Sequence, residues 1–199
     1  MTTANTFCRA TIILLSITAT VAAGLPDRGP DVEDGVVETF QERNGSIFTD
    51  WPKPQAVLVI TGELDGYIEP CGCTGKENQK GGLSRRQNFL QALKEAGWEA
   101  LPIDLGGQVK RFGRQTEAKF QSIVDGLRDM HYVAVGFGPG DLRLPAEELV
   151  AAVAPIGDEP TPYLSANVGL LGLDANITPR FRVVEVGGLT IGMTAVLGD

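Results

Sequence analysis

The most regular feature of the chain is an alternation between short apolar runs and stretches of mixed polarity. Residues 56–60 form a continuous apolar run, which is typical of a strand that is buried on both faces. Three further runs, at residues 101–105, 132–137 and 163–167, predict three more strands of the same kind.

The stretches between these runs have the spacing of helices. In residues 116–129 the apolar side chains recur at i, i+3, i+4 and i+7, as Phe120, Ile123, Val124 and Leu127. Residues 83–96 predict a second helix ended by Gly97, and Pro145 opens a third. Strands that alternate with helices predict an α/β fold with a mostly parallel sheet and flanking helices, in which the four strands are neighbours.

The last part of the chain has the pattern of a hairpin. Residues 181–186 and 189–196 are largely apolar and flank Gly187-Gly188, a dipeptide suited to a two-residue turn. We assign residues 55–199 to one α/β domain. Residues 24–54 are polar and rich in proline, glycine and acidic side chains, and they are predicted to form an irregular leader.

The first 23 residues have the composition of a secretory signal peptide. Arg9 supplies the positive charge, residues 11–20 form the apolar segment, and Val21 and Ala23 provide the small residues of a cleavage site. An uncleaved anchor is the alternative, although the apolar segment is shorter than the ~20 residues of a spanning helix. We therefore predict an exported protein, periplasmic or secreted, with no integral membrane segment once the signal is removed.

Composition and charge exclude some classes of function. The 199 residues carry a formal net charge of −8 without a stripe of lysine and arginine, so nothing favours binding to nucleic acid. Apolar residues make up 43% of the chain and charged residues 21%, which is the balance of a globular domain rather than a disordered chain. The partners left open are a small-molecule ligand and another exported protein.

Six short motifs follow one another along the predicted elements. They are residues 61–70 (TGELDGYIEP), 81–86 (GGLSRR), 103–107 (IDLGG), 134–141 (AVGFGPGD), 164–167 (LSAN) and 191–193 (IGM). In sequence and order they resemble motifs of exported 5′-nucleotidases, which belong to the calcineurin-like metallophosphoesterase superfamily. The resemblance covers residues 56–197 and implies the N-terminal part of a metallophosphoesterase-like α/β sandwich. Because the domain of that family continues further, we expect this one to be incomplete.

The resemblance also implies a site for two metal ions that activate a water molecule, and its ligands are replaced here. Glu63 and Asp65 stand where the family has Asp and His, Gly107 stands for the bridging Asp, and Pro139 and Gly140 stand for an Asn-His pair. Glycine and proline offer no side-chain ligand. We therefore predict a binding module without metal or other cofactor, with residual metal-dependent phosphoester hydrolysis as an alternative.

Cys71 and Cys73 remain as candidate catalytic residues. They follow the first predicted strand and are the cysteines left once the signal peptide is removed. The pair is compatible with a disulfide that pins the loop, a thiol-disulfide redox centre, half of a metal site completed by Glu63 and Asp65, or two small residues without a role. The single histidine, His131, is predicted to be a partly buried structural residue rather than a ligand.

Overall fold

Strands and helices alternate in the predicted order in the computed structural model. It describes Phe48 and residues 51–70, 81–111, 113–172 and 175–198, which lie in one unit, Glu38–Asp199. The elements are β1 (Val57–Thr61), α1 (Leu83–Glu95), β2 (Ala100–Asp104), α2 (Arg114–Asp129), β3 (Ala134–Val135), a 3-10 turn (Asp141–Arg143), α3 (Ala146–Val153), β4 (Arg182–Val186) and β5 (Leu189–Met193). The predicted signal peptide and most of the leader lie outside these residues. None of the described helices is long and apolar enough to cross a membrane.

The main sheet is parallel and has the strand order β1-β2-β3. Strands β1 and β2 pair along their whole length, from Val57 opposite Ala100 to Thr61 opposite Asp104. Strand β3 is short and pairs only with the end of β2. This arrangement confirms the predicted α/β fold with a parallel sheet and helices beside it, and it brings the carboxyl ends of three strands to one edge.

The fourth predicted strand, residues 163–167, forms only a single parallel bridge between Val135 and Tyr163. The N–H group of Leu164 donates to the Val135 carbonyl at 3.0 Å. The next two N–H groups then donate to other segments of the chain, at Pro179 and Ala195. The prediction of a full fourth strand is therefore wrong, because the backbone bonds that would extend it are used elsewhere.

Helix α2 covers the sheet with the apolar face that its spacing predicts. Phe120, Ile123, Val124 and Leu127 are each 1% exposed or less. They pack in one core with Val135 of β3, Leu149 and Val153 of α3, and Tyr163. The ring centroids of Phe120 and Tyr163 lie 6.2 Å apart. This core holds helices α2 and α3 against the sheet and so supports the loops that follow the strands.

The predicted hairpin is confirmed. Strands β4 and β5 are antiparallel, and both turn residues, Gly187 and Gly188, have left-handed φ values of 55° and 74°. Such values belong to a turn whose twist matches that of the flanking strands. The Gly187 N–H group donates to the Glu99 carboxylate at 2.7 Å, and the Gln55 amide donates to the Gly187 carbonyl at 2.8 Å. The hairpin is therefore fastened to the amino ends of β1 and β2.

Candidate functional site

Three loops leave the carboxyl ends of the parallel strands at one edge of the sheet, which is where ligands of open α/β sheets bind. We call them the first loop (residues 62–69), the second loop (105–111) and the third loop (136–140). Main-chain hydrogen bonds join the first loop to the second: Glu63 N–H to Gly106 O at 2.8 Å, Asp65 N–H to Gly107 O at 3.0 Å and Gly66 N–H to Gln108 O at 2.7 Å. Three successive carbonyls of the second loop are thus engaged.

Asp141 joins the second loop to the third. Its Oδ2 accepts hydrogen bonds from the N–H groups of Gly138 at 2.8 Å and Gly107 at 3.0 Å, and its Oδ1 accepts one from Val109 N–H at 3.0 Å. The side chain is fully buried. Burial raises the pKa of Asp141, and the backbone N–H donors oppose that rise. Asp141 is therefore a structural acceptor, with its lone pairs directed at the backbone of two loops.

The glycines of these loops let the backbones approach very closely. A Cβ added at Gly106 would lie 2.5 Å from the Gly138 nitrogen, and one added at Gly140 would overlap the Val109 carbonyl oxygen. Gly107 has φ +76°, and a Cβ there would lie 3.2 Å from the Glu63 Cα. Backbone atoms thus occupy the space into which a side chain at position 140 would extend, and they crowd a side chain at position 107.

A second buried carboxylate, Asp104, organises the end of β2. It accepts hydrogen bonds from Thr61 Oγ1 at 2.6 Å, Arg86 Nη1 at 2.7 Å, Gly106 N–H at 2.8 Å and Gln108 Nε2 at 2.6 Å. The Asp104 side chain is 0% exposed and that of Arg86 15%. This network ties β1, α1, β2 and the second loop together. Neither Asp104 nor Asp141 was identified from the sequence as a site residue, although a lone charge at the end of an apolar run could have indicated one.

Glu63 and Asp65 lie in the first loop, beyond the end of β1, with left-handed φ values of 49° and 55°. Glu63 is exposed, and Asp65 forms an ion pair with Lys110 at 3.1 Å. The hydrogen bond to Asp65 raises the pKa of Lys110, so the lysine stays charged. Within the residues that the structure describes, no three His, Cys, Asp or Glu side chains form a group that could hold a metal ion. Glu63 and Asp65 therefore have no partners there with which to form a metal site.

A crevice of about 560 Å³ lies over these loops. Its lining combines glycine and proline with apolar side chains, and its charged side chains are Glu63, Asp65, Lys110 and Arg143. Charges of both signs beside apolar side chains suit recognition of a ligand with polar and apolar parts better than assembly of a metal centre.

Cys71 and Cys73 lie outside the described residues, so their role stays a prediction. The described residues on either side are close together: Leu83 N–H donates to the Ile68 carbonyl at 2.8 Å, and a Cβ at Gly82 would lie 2.9 Å from the Pro70 nitrogen. The predicted partial burial of His131 is wrong. His131 is exposed and has φ 56°, because it lies in the tight turn that follows α2 rather than in a buried strand.

Comparison with known proteins identifies the fold. No family model and no curated protein matches the sequence. Among the solved structures that match, a 5′-nucleotidase precursor from Thermus thermophilus has a TM-score of 0.55 and 21% identity over 71% of this chain. The NAD nucleotidase NadN of Haemophilus influenzae has a TM-score of 0.50 and 16% identity over 71% of this chain. The sulfate thiohydrolase SoxB of Thermus thermophilus has a TM-score of 0.55 and 14% identity over 73% of this chain.

This similarity concerns architecture. The match covers 28%, 26% and 36% of the three proteins, so the chain spans well under half of their length. Identities of 14–21% establish a shared fold alone. The fold is that of the N-terminal domain of 5′-nucleotidase-like metallophosphoesterases, as the sequence motifs predicted.

Proposed function

We propose that this 5′-nucleotidase-like metallophosphoesterase fold serves as a binding module without dinuclear-metal phosphohydrolase activity. The observation that supports the proposal is the closure of the strand-end loops, where backbone occupies the space of the missing ligands. A dinuclear centre needs several converging side-chain ligands and an open position for water. Positions 107, 139 and 140 contribute none, and at two of them a side chain would meet neighbouring backbone.

The main-chain groups of the loops cannot substitute for those ligands. The carbonyls of Gly106, Gly107 and Gln108 accept bonds from the first loop, and three N–H groups are held by Asp141. The crevice above the loops remains available for a small-molecule ligand or a segment of an exported partner, at the edge of the sheet where such folds bind ligands.

Metal analysis tests this proposal. Purified protein incubated with Zn²⁺, Mn²⁺ or Fe²⁺ and then desalted is expected to retain less than one ion per chain by elemental analysis. Hydrolysis of bis(p-nitrophenyl) phosphate should stay at the level of the buffer, with or without EDTA. Two ions per chain together with turnover that EDTA abolishes would refute the proposal and support the alternative of a residual phosphoester hydrolase.

We also propose that the protein is exported after cleavage of residues 1–23, with residues 24–54 as a leader and residues 55–199 as the domain. The composition of the first 23 residues supports export, and one of the similar structures is that of a protein described as a precursor.

A second candidate function is thiol-disulfide exchange by Cys71 and Cys73. The observation that favours it is the position of α1, which begins at Leu83 beside Ile68 and has no acidic residue in its first turn. Its positive end adjoins Pro70, the residue before Cys71, and helix N-termini lower thiol pKa values. A substrate thiolate would attack a Cys71–Cys73 disulfide, and a second substrate thiolate would release the protein dithiol while the substrate is oxidised to a disulfide.

A redox titration tests this candidate. In Cys8→Ser protein, which keeps only Cys71 and Cys73, we expect half-oxidation at a potential above about −200 mV, since a ring closed across one residue is strained. The readout is the mass added by maleimide-polyethylene glycol after equilibration in glutathione buffers. A pair that remains fully oxidised at about −300 mV would be a structural disulfide, and a pair that never oxidises would also contradict the redox role.

A further inference from the structure

A separate crevice lies between the first loop and the start of helix α2. Its volume is about 260 Å³. Asp65, Val109 and Lys110 line both this crevice and the one over the strand ends, but positions 107, 139 and 140 line only the latter. What it binds is therefore a question independent of the metal site.

The lining of this crevice is strongly cationic in an acidic protein. Lys110, Arg111 and Lys119 line it against one acidic side chain, Asp65, which leaves a surplus of two positive charges. The chain as a whole carries −8. Arg111 and Lys119 form no ion pair with any residue in the described part of the chain. Two cations with no partner among those residues are thus held at one concave surface, where they raise the local concentration of anions.

Polar groups of α2 are available in the same crevice. Thr116 lines it and is only 9% exposed, and its hydroxyl has no hydrogen-bond partner among the described residues. The hydroxyl itself is not fully enclosed, so it can donate to a ligand in the crevice. The residue before the helix, Gly113, has no side chain with which to cap it, so the N–H groups of Arg114 and Gln115 have no side-chain acceptor there. Helix N-terminal N–H groups of this kind bind oxyanions.

We propose that this crevice binds a divalent tetrahedral oxyanion, as the sulfate or phosphate group of a small molecule. Arg111 and Lys119 would neutralise the two negative charges, and the Thr116 hydroxyl and the first N–H groups of α2 would donate to its oxygens. A carboxylate carries one charge and two oxygens, so it would satisfy fewer of these donors. The inference goes beyond the proposed function, since it concerns a different crevice and holds whether or not metal binds at the strand ends.

Titration of ¹⁵N-labelled full-length protein with sodium sulfate and with sodium phosphate, at constant ionic strength, tests the proposal. We expect saturable shifts of the amide signals of Arg114, Gln115 and Thr116 with either anion. Malonate serves as the dicarboxylate control and should bind more weakly. Absence of saturation with both tetrahedral anions, or equal binding of malonate, would overturn the assignment. Tighter binding of one of the two anions would show which group the site prefers.

Charge variants separate a specific site from general attraction. The double variant Arg111→Gln/Lys119→Gln should weaken binding by about tenfold or more, because two charge-assisted contacts are lost. Thr116→Val, which keeps the shape of the side chain, should weaken it by about threefold. The matched control is Lys53→Gln/Lys94→Gln, which also removes two positive charges, at exposed positions that do not line the crevice. An equal effect of the control and the double variant would refute a specific site.

Discussion

Replacing Gly140 by alanine is expected to lower the free energy of unfolding by about 3 kcal/mol, the upper part of the range for overpacking a closely packed site. The added methyl group would overlap the carbonyl oxygen of Val109 in the second loop. Backbone strain does not contribute, because Gly140 has φ −67° and ψ −40°, which alanine adopts readily. Urea denaturation followed by the fluorescence of the tryptophans measures the change.

The matched control is Gly192→Ala in β5. No atom lies within 4 Å of a Cβ at Gly192, so this variant should differ from the wild type by less than about 1 kcal/mol, and an alanine in a strand favours a gain. Equal stability of the two variants would show that the second and third loops can separate at little cost. That result would remove the steric basis of the proposed function.

Restoring the ligand types extends the same test. If the metal site had lost only its side chains, the triple variant Gly107→Asp/Pro139→Asn/Gly140→His should bind zinc. We expect it instead to be at least as destabilised as Gly140→Ala and to gain no stoichiometric metal, because Gly107 has φ +76° and its Cβ would crowd the Glu63 backbone. A stable triple variant with two zinc ions per chain would contradict the closed-loop interpretation.

The parts of the fold that the sequence predicts well are those in which one pattern determines burial. The four-residue apolar repeat of α2 is such a case, since all four side chains are buried. Strand β1 also forms where it was expected, but the prediction that it is buried on both faces is wrong, because Leu58 and Ile60 are 48% and 58% exposed. The fourth strand and His131 fail for a common reason. In both, an apolar stretch suggested a strand where the backbone bonds are used otherwise. The N–H groups of residues 165 and 166 donate to distant segments, and the His131 N–H group donates to the Arg128 carbonyl in the turn that ends α2.

The candidate site, too, was predicted from the sequence only in part. The sequence shows that positions 107, 139 and 140 lack ligand side chains, but it does not show that backbone has moved into their space. Likewise, the sequence places Asp141 at the end of one of the six motifs, but it does not show what the side chain does. Its role is visible only in the structure, where its carboxylate accepts hydrogen bonds from the N–H groups of Gly107, Val109 and Gly138. Three segments that are separate in sequence must come together to form this arrangement, so no single motif predicts it.

A second large loss of unfolding free energy is expected at the ion pair of Arg86 and Asp104, which lies at the same edge of the sheet. Arg86→Met is expected to cost about 3 kcal/mol of unfolding free energy, the lower end for breaking a buried pair. The lower end applies because Asp104 keeps three donors, from Thr61, Gly106 and Gln108. Lys94→Met, at an exposed position near the end of the same helix, is the control and should cost less than about 1 kcal/mol.

A double-mutant cycle separates the ion pair from the packing of the Arg86 side chain. Asp104→Asn alone should also be destabilising. Each carboxylate oxygen of Asp104 now accepts a hydrogen bond, one from Arg86 and the other from Gln108, and the asparagine amide group would place a donor against one of these donors. In the Arg86→Met/Asp104→Asn variant no buried charge is left unpaired, so the loss should be smaller than the sum of the single losses by about 1 kcal/mol or more. Strict additivity would mean that the two side chains act independently. The polar network would then owe its stability to the Thr61, Gly106 and Gln108 donors, and the first helix would be held to the strand ends by packing alone.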